Sequence, residues 1–336
     1  MCEHPKRFNN ETPISLHIPK LVATELNTIR YMSSRQLIVL GTASQTPTRL
    51  RAHNGYIIRW DDKLIMFDPG EGTQKQCLLA GISISKLSAI CITHFHGDHC
   101  LGLPGVIQRR SLDNNHNQKF DEPLPIYFPA DGTQYLTNLC SASVFKDSSN
   151  IEQHPIDKAG KAGEINELQL FAEPLLHRTT TFGYRIEEPD KRSFDKQKLE
   201  HFQISGPQVK QLQDKGSIEL DNQTIHIDQV SEIKKGQSIA FVMDTAFCQE
   251  AIELAQDVDM LICESTFLET ESDLAKEYKH LTAKQAGQIA SQANAKLLVL
   301  THFSARYSDI KVLEKEASGY HDNVIAANDL DTINFR

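Results

Sequence analysis

Ser88-Ala89-Ile90-Cys91-Ile92-Thr93-His94-Phe95-His96-Gly97-Asp98-His99-Cys100-Leu101-Gly102-Leu103-Pro104-Gly105 is the stretch on which the reading of this chain turns. An apolar, β-rich run stops at Thr93. His94, His96, Asp98 and His99 then follow within six positions, and Gly97 is free to make a tight turn before a helix. Imidazole and carboxylate are the ligands of Zn2+ and related divalent ions. Two ions about 3.5–4 Å apart need more donors than one loop holds, so further ligands must come from distant segments. A lone histidine is ordinarily a satisfied surface or core residue, and His116, His154, His201 and His226 are read that way.

Outward from this loop, short β-type runs recur at 37–40, 64–67, 126–128, 239–243, 260–263 and 297–301, besides 88–93 itself. Segments 73–80, 103–112, 249–257, 272–278 and 282–293 have the length and propensity of helices. The alternation predicts an α/β fold with helices covering strands that are buried on both faces. There is also an echo: Ile92-Thr93-His94-Phe95 and Leu300-Thr301-His302-Phe303 each end an apolar strand. Two half-domains delivering a histidine to one seam would explain it, and coincidence would explain it equally well.

Two segments depart from the alternation. Residues 1–31 lack its periodicity, and Met32-Ser33-Ser34 would itself serve as a start, so a loosely ordered N-terminal extension is expected before a domain spanning 32–336. Residues 187–235 are polar, contain Gly206-Pro207 and hold few apolar runs, which reads as an inserted, flexible arm.

The 336 residues are 40% hydrophobic and 24% charged, the composition of an ordinary folded protein. No run of 18 apolar residues suggests a membrane span, and the first thirty residues hold no apolar signal core, so a cytoplasmic location is expected. The seven cysteines include no C-x-x-C pair, which argues against a disulfide framework or zinc knuckle. A net charge of −9 at pH 7 excludes a general nucleic-acid coat protein; a polyanionic substrate needs a local basic patch or metal ions.

With these residues in view, the sequence resembles the metallo-β-lactamase superfamily through His94-x-His96-x-Asp98-His99, and within it the ribonuclease Z family of tRNA 3′-processing endonucleases. The likeness runs from about residue 37 to 306. It includes Phe67-Asp68-Pro69-Gly70-Glu71-Gly72-Thr73-Gln74, Leu101-Gly102-Leu103-Pro104-Gly105, Phe182-Gly183-Tyr184-Arg185-Ile186, Gly206-Pro207, Asp244-Thr245 and Leu300-Thr301-His302-Phe303-Ser304-Ala305-Arg306-Tyr307. The resemblance implies a four-layer αββα sandwich carrying the arm. It also implies two Zn2+ per subunit, with Mn2+ as a possible substitute. One ion would be held by His94, His96, His177 and Asp244, the other by Asp98, His99, Asp244 and His302. Asp68, at its strand end, would orient a ligand histidine from behind, although a plain turn-forming role is also open.

The family's leaving-group pair falls on Glu264 and His280, although Cys263 stands where histidine is common, Leu281 where serine is, and Met243 precedes Asp244. The loop from Pro47 to Asn54, with Arg49 and Arg51, resembles the family's contact to the acceptor end; a solvated loop is the other reading. In the arm, Lys191, Arg192, Lys196, Lys198, Lys210 and Lys215 against Asp195, Glu200 and Asp214 leave a local +3 suited to the tRNA elbow, as Gly206 and Pro207 also imply; a merely solvated face is the other reading, since the flanks 187–190 and 219–232 are acidic. The implied reaction is attack of an activated water on the phosphodiester, with Asp98 orienting or deprotonating it and His280, held by Glu264, protonating the leaving ribose oxygen. The implied partners are pre-tRNA and a second copy whose arm acts in trans; neither DNA nor a membrane is expected. A phosphodiesterase or other small-molecule hydrolase on the same scaffold is the competing enzyme reading, and a non-catalytic RNA-binding protein is the third.

Overall fold

The computed structural model describes residues 34–116, 122–220 and 223–335, apart from the His116 side chain. The expected N-terminal extension lies outside the described residues. Within them, two seven-stranded sheets face each other. The first runs in the order Thr332–Asn334, Arg35–Gly41, Gly55–Trp60, Lys63–Phe67, Leu87–Cys91, Leu124–Pro129, Ile151–Ile156. The second runs Val324–Ala326, Leu298–Thr301, Met260–Glu264, Ser238–Val242, Thr181–Glu187, Leu168–Leu175, Gly160–Ile165.

Alternation along the strands assigns each residue to a layer. Leu37 and Val39 face the second sheet, where Tyr56, Phe67, Tyr184 and Phe241 also meet, while Ile38 and Leu40 face outward onto Cys77, Leu103, Val106 and Ile107. The Phe241 ring lies 5.1 Å from Tyr56 and 4.6 Å from Phe67, and each such aromatic pair is worth about 0.5–1.5 kcal/mol beyond the burial itself. The outer face of the second sheet packs on the Ala283–Gln292 and Lys311–Ala317 helices through Ala286, Ile289, Ala290 and Leu313. Helices thus cover both outer faces, and the αββα sandwich is as expected.

The strands read as apolar runs are those buried along their whole length, such as Ser238–Val242 and Met260–Glu264. Ile151–Ile156 and Gly160–Ile165 escaped that reading because they are edge strands with charged and half-exposed positions. The strand before the histidine loop stops at Cys91 rather than Thr93, because the Thr93 N–H leaves the sheet to donate to Asp68 Oδ1 at 2.8 Å.

The arm is more ordered than its composition suggested. Lys191–Phe194 pairs antiparallel with Ser231–Lys234, enclosing the helices Lys196–His201 and Gly206–Lys215 and the hairpin Ser217–Leu220/Gln223–His226. Ile204, Leu212, Ile218, Ile225 and Val230, single apolar residues widely spaced in sequence, converge into a core of its own. Ser205 and Gln208 form a capping box at the start of the second helix, with Pro207 in its first turn, where its missing N–H costs nothing.

Candidate active site

In the first sheet Lys63–Phe67, Leu87–Cys91 and Leu124–Pro129 run parallel; in the second, Ser238–Val242, Met260–Glu264 and Leu298–Thr301 do. Loops at the carboxyl ends of parallel strands collect at one rim. The strand ends deliver Asp68 and His94 from one sheet, and Asp244, Glu264 and His302 from the other. Asp68 and His302 adopt φ of 44° and 58°, left-handed conformations unusual outside glycine and concentrated at functional sites. Gly102 allows the Asp68 turn to approach the histidine loop: a Cβ there would lie 1.9 Å from the Gly70 carbonyl oxygen.

Donor side chains from several of these segments lie close together. His94, His96, His177 and Asp244 form one group whose donor atoms lie within 4.8 Å of one another, and Asp98, His99 and His302 form a second. Asp244 joins them: Oδ2 is 3.6 Å from His94 Nε2 and 3.4 Å from His99 Nε2, and Oδ1 is 3.2 Å from His302 Nε2. Asp98 Oδ2 lies 3.3 Å from His99 Nε2 and 3.5 Å from His302 Nε2.

Outer partners fix which ring nitrogen faces inward. Thr93 gives its hydroxyl proton to Asp68 Oδ2, so His94 Nδ1–H donates to Thr93 Oγ1 at 3.0 Å. His99 Nδ1–H donates to Asp68 Oδ2 at 2.8 Å, and His177 Nδ1–H to the Lys279 carbonyl at 3.0 Å. The Thr266 hydroxyl donates to Glu264 Oε2, so His302 Nδ1–H donates to Thr266 Oγ1 at 2.7 Å. Each of these four rings turns its Nε2 into the cluster. Asp244 Oδ1 and His302 Nε2 are buried there without a hydrogen bond. Buried polar atoms are otherwise nearly always satisfied, so this donor set fits divalent metal ions.

The electrostatics divide the rings: burial opposes the charging of His99, yet Asp98, Asp244 and Asp68 hold its imidazole well above the ordinary range. Burial, reinforced by the charge on His99, holds the His94 imidazole well below its ordinary range; burial lowers His177 to about 4 against the pull of Asp244. Both stay neutral with lone pairs available. Burial would raise Asp98, but His99 and His302 outweigh it and hold the carboxyl below the usual carboxylate range.

Beside the cluster, Glu264 accepts from the Thr245 N–H at 2.6 Å and from His280 Nδ1–H at 3.1 Å. Burial opposes the charging of His280, yet Glu264 and then Asp244 raise its imidazole to about 9. Cys263, Leu281 and Met243, the departures from the family's motifs, are buried in the hydrophobic core, so they are packing positions.

The cluster opens into a cleft of about 540 Å³ whose walls include His53, Asp98, Arg178, Tyr278, His280 and Arg306. Arg178 lies over Tyr278 and Arg306 over Phe267, each guanidinium 5.2–5.3 Å from its ring. Arg49 is exposed, but Arg51 is only half-buried and already engaged: its Nη1 donates to the Tyr307 carbonyl at 2.8 Å, and its guanidinium lies over Phe303. In the arm, Lys196, Lys198, Gly206, Pro207 and Lys210 are exposed, whereas Lys191 pairs with Glu188 and Arg192 with Asp228. Asn54, read from the sequence only as the end of the acceptor-end loop, is fully buried, accepts from the Tyr56 hydroxyl at 2.7 Å and places Nδ2 3.5 Å from Asp98 Oδ2. Sequence reasoning missed Thr93 and Thr266; the Thr-His order of the echoed strand ends was the available signal for Thr93.

Fold and site together define a metallo-β-lactamase-type protein, and the metallo-beta-lactamase superfamily profile matches residues 48–192. Two curated relatives are narrower in what they indicate. The ribonuclease Z of Protochlamydia amoebophila is 46% identical over 304 residues, covering 90% of this chain and 98% of that protein. That of Salinispora arenicola is 44% identical over 303 residues, covering 90% and 96%. The chain belongs to the ribonuclease Z family. Among solved structures, the short form of human tRNase Z shares its fold, with a TM-score of 0.61 at 23% identity over 90% of this chain and 99% of that one. Among the described residues, no helix is long and apolar enough to cross a membrane.

Proposed function

We propose that this chain is a metal-dependent endoribonuclease that removes the 3′ trailer from pre-tRNA, leaving a tRNA 3′-hydroxyl and a 5′-phosphate on the trailer. The observation that carries the reading is the Glu264–His280 pair set directly beside the two-part donor cluster, with His280 Nδ1 3.9 Å from Asp244. Hydrolysis of a phosphodiester with an alkoxide leaving group needs both parts. The relatives named ribonuclease Z, matched over nearly their whole length, support the substrate class.

Two divalent ions, read as Zn2+ with Mn2+ as a substitute, would sit on His94, His96, His177 and Asp244 and on Asp98, His99, Asp244 and His302, where they would polarise the phosphate and lower the pKa of water. Asp98, a carboxylate at neutral pH, orients or deprotonates the attacking water. His280, protonated at neutral pH and held by Glu264, donates a proton to the departing ribose 3′-oxygen. Asp68 keeps His99 in the tautomer that points Nε2 inward.

In the arm, Lys196, Lys198 and Lys210, with Lys191, Arg192, Gly206 and Pro207, form the surface for the tRNA elbow, while Arg49 and the loop carrying Arg51 face the acceptor end. We read the working unit as a homodimer in which one arm presents substrate to the partner's cleft. Leu78, Leu79 and Leu112, exposed on neighbouring helices, support self-association. The free cysteines of the described residues fit a reducing, cytoplasmic setting.

Cleavage of a 3′-extended pre-tRNA tests the reading. A cut after the discriminator base that stops on chelation and returns with Zn2+ is the expected result. Intact pre-tRNA beside brisk turnover of a small phosphodiester would sink it.

A further inference from the structure

The loop from Thr42 to Asn54, which carries Ser44, Gln45, Thr46 and His53 to the cleft, is closed at its neck by a residue far away in sequence. Asp329 sits in a tight turn in which Asn328 N–H donates to Asp331 Oδ2 at 2.8 Å. That turn docks on the first sheet: Leu330 N–H donates to the Val39 carbonyl at 2.7 Å, and Val39 N–H to the Asp331 carbonyl at 2.9 Å. The Asp329 carboxylate is thereby aimed between the two limbs of the loop. Oδ1 accepts the Thr42 hydroxyl at 2.8 Å on the outgoing limb; Oδ2 accepts the Ala52 N–H at 2.6 Å on the returning limb. Gln76 Nε2 adds a longer contact at 3.4 Å.

The same neck is tied to the loop that carries Arg306. Phe303 N–H donates to the Thr42 carbonyl at 2.8 Å, Ser44 N–H to the Phe303 carbonyl at 3.0 Å, and Arg51 to the Tyr307 carbonyl. Gln45 and Arg306 therefore stand on adjoining lips of the cleft, and the lip that carries Gln45 is held closed where Asp329 joins its limbs. Asn54, by contrast, is held independently, by the Tyr56 hydroxyl and by Gly70 N–H donating to its carbonyl at 2.8 Å. Releasing the neck would loosen the lips without loosening the contact to Asp98.

We propose that Asp329 is a positioning residue for the RNA: its carboxylate holds closed the loop that forms one lip of the cleft, where the acceptor end is received, and so sets substrate affinity and not the chemical step. This rests on the ribonuclease reading above. Asp329 touches neither the donor cluster nor His280. Replacing the carboxylate by the isosteric amide would oppose an N–H to one of the two donors it now receives.

The test uses the full-length chain loaded with metal and two variants, Asp329→Asn and the milder Thr42→Val. For Asp329→Asn, KM for pre-tRNA should rise about tenfold with kcat within twofold, because the lips misplace the substrate. For Thr42→Val, which removes one hydrogen bond and leaves Ala52 clamped, the rise should be about threefold. Turnover of bis(p-nitrophenyl) phosphate and metal content should not change, and amide exchange at Ala52 should speed up in Asp329→Asn. If both variants keep the wild-type KM, or if both substrates lose turnover in parallel, the positioning role is overturned. If the wild type itself leaves pre-tRNA intact while hydrolysing the diester, the ribonuclease reading fails, and the positioning role falls with it.

Discussion

The floor of the cleft and the arm are built by opposite means. At the floor, donor atoms from both sheets gather and four of the rings, those of His94, His99, His177 and His302, are oriented by a partner behind them: Thr93, Asp68, the Lys279 carbonyl and Thr266. In the arm, a few apolar side chains around Leu212 support a surface of exposed lysines. On the proposed reading, chemistry is placed where side chains are buried and hydrogen-bonded from behind, and RNA contact where they are exposed. Catalysis needs groups fixed to fractions of an ångström, whereas phosphate contacts act through charge over a longer range.

This contrast can be broken or sharpened in order of effect. Asp244→Ala removes the carboxylate common to both donor groups; bound metal should fall, and turnover of pre-tRNA and of a small diester should each drop by more than about a thousandfold. Metal analysis beside both assays checks it, and full metal content with normal turnover would refute the shared-donor geometry. His280→Ala should keep its metal yet lose roughly a hundred- to ten-thousandfold on pre-tRNA, while a diester with a nitrophenolate leaving group, which needs no protonation, should be nearly spared. Equal losses on both substrates would remove His280 from the proton-donor role.

On the arm's side, changing Lys196, Lys198 and Lys210 together to alanine should leave diester turnover untouched. Pre-tRNA binding should weaken and its logarithmic salt slope should flatten by about two. An unchanged slope would mean these lysines meet no phosphate. The mildest change is Leu212→Ala: a cost of about 2–5 kcal/mol should open the arm's own core, seen as faster amide exchange across 191–234, while exchange in the sheets stays as it was. Global unfolding instead would show that arm and sandwich melt as one unit.

The floor was far more legible in the sequence than its surroundings. His94, His96, Asp98 and His99 announce themselves because one turn must hold several donors, which compresses them into six positions. His177, Asp244 and His302 obey no spacing rule, since strand order and not chain distance brings them in; the family resemblance pointed to them, and for His302 the echoed strand end did as well. The partners behind the ligands were harder still. Thr93 and Thr266 belong to a common residue type, and a carbonyl such as that of Lys279 has no signature at all. The Pro47–Asn54 loop was read as a pair of arginine contacts, yet only Arg49 faces outward, because Arg51 spends its donors on the Tyr307 and Ser308 carbonyls. The arm's core escaped because Ile204, Leu212, Ile218, Ile225 and Val230 are spaced too widely to show one periodicity.

The seam between the sheets also sets a schedule. The donors run from His94 to His302, and the sheet that opens with Arg35–Gly41 gains its partner Thr332–Asn334 only after nearly everything else has been made. Pairings this remote in sequence form late. While the ribosome is still extending the chain, the histidine loop is already out but has no opposite wall. A nascent chain is therefore silent toward the RNA around it, and its cutting edge exists only once the second sheet has been synthesised and has closed over the first.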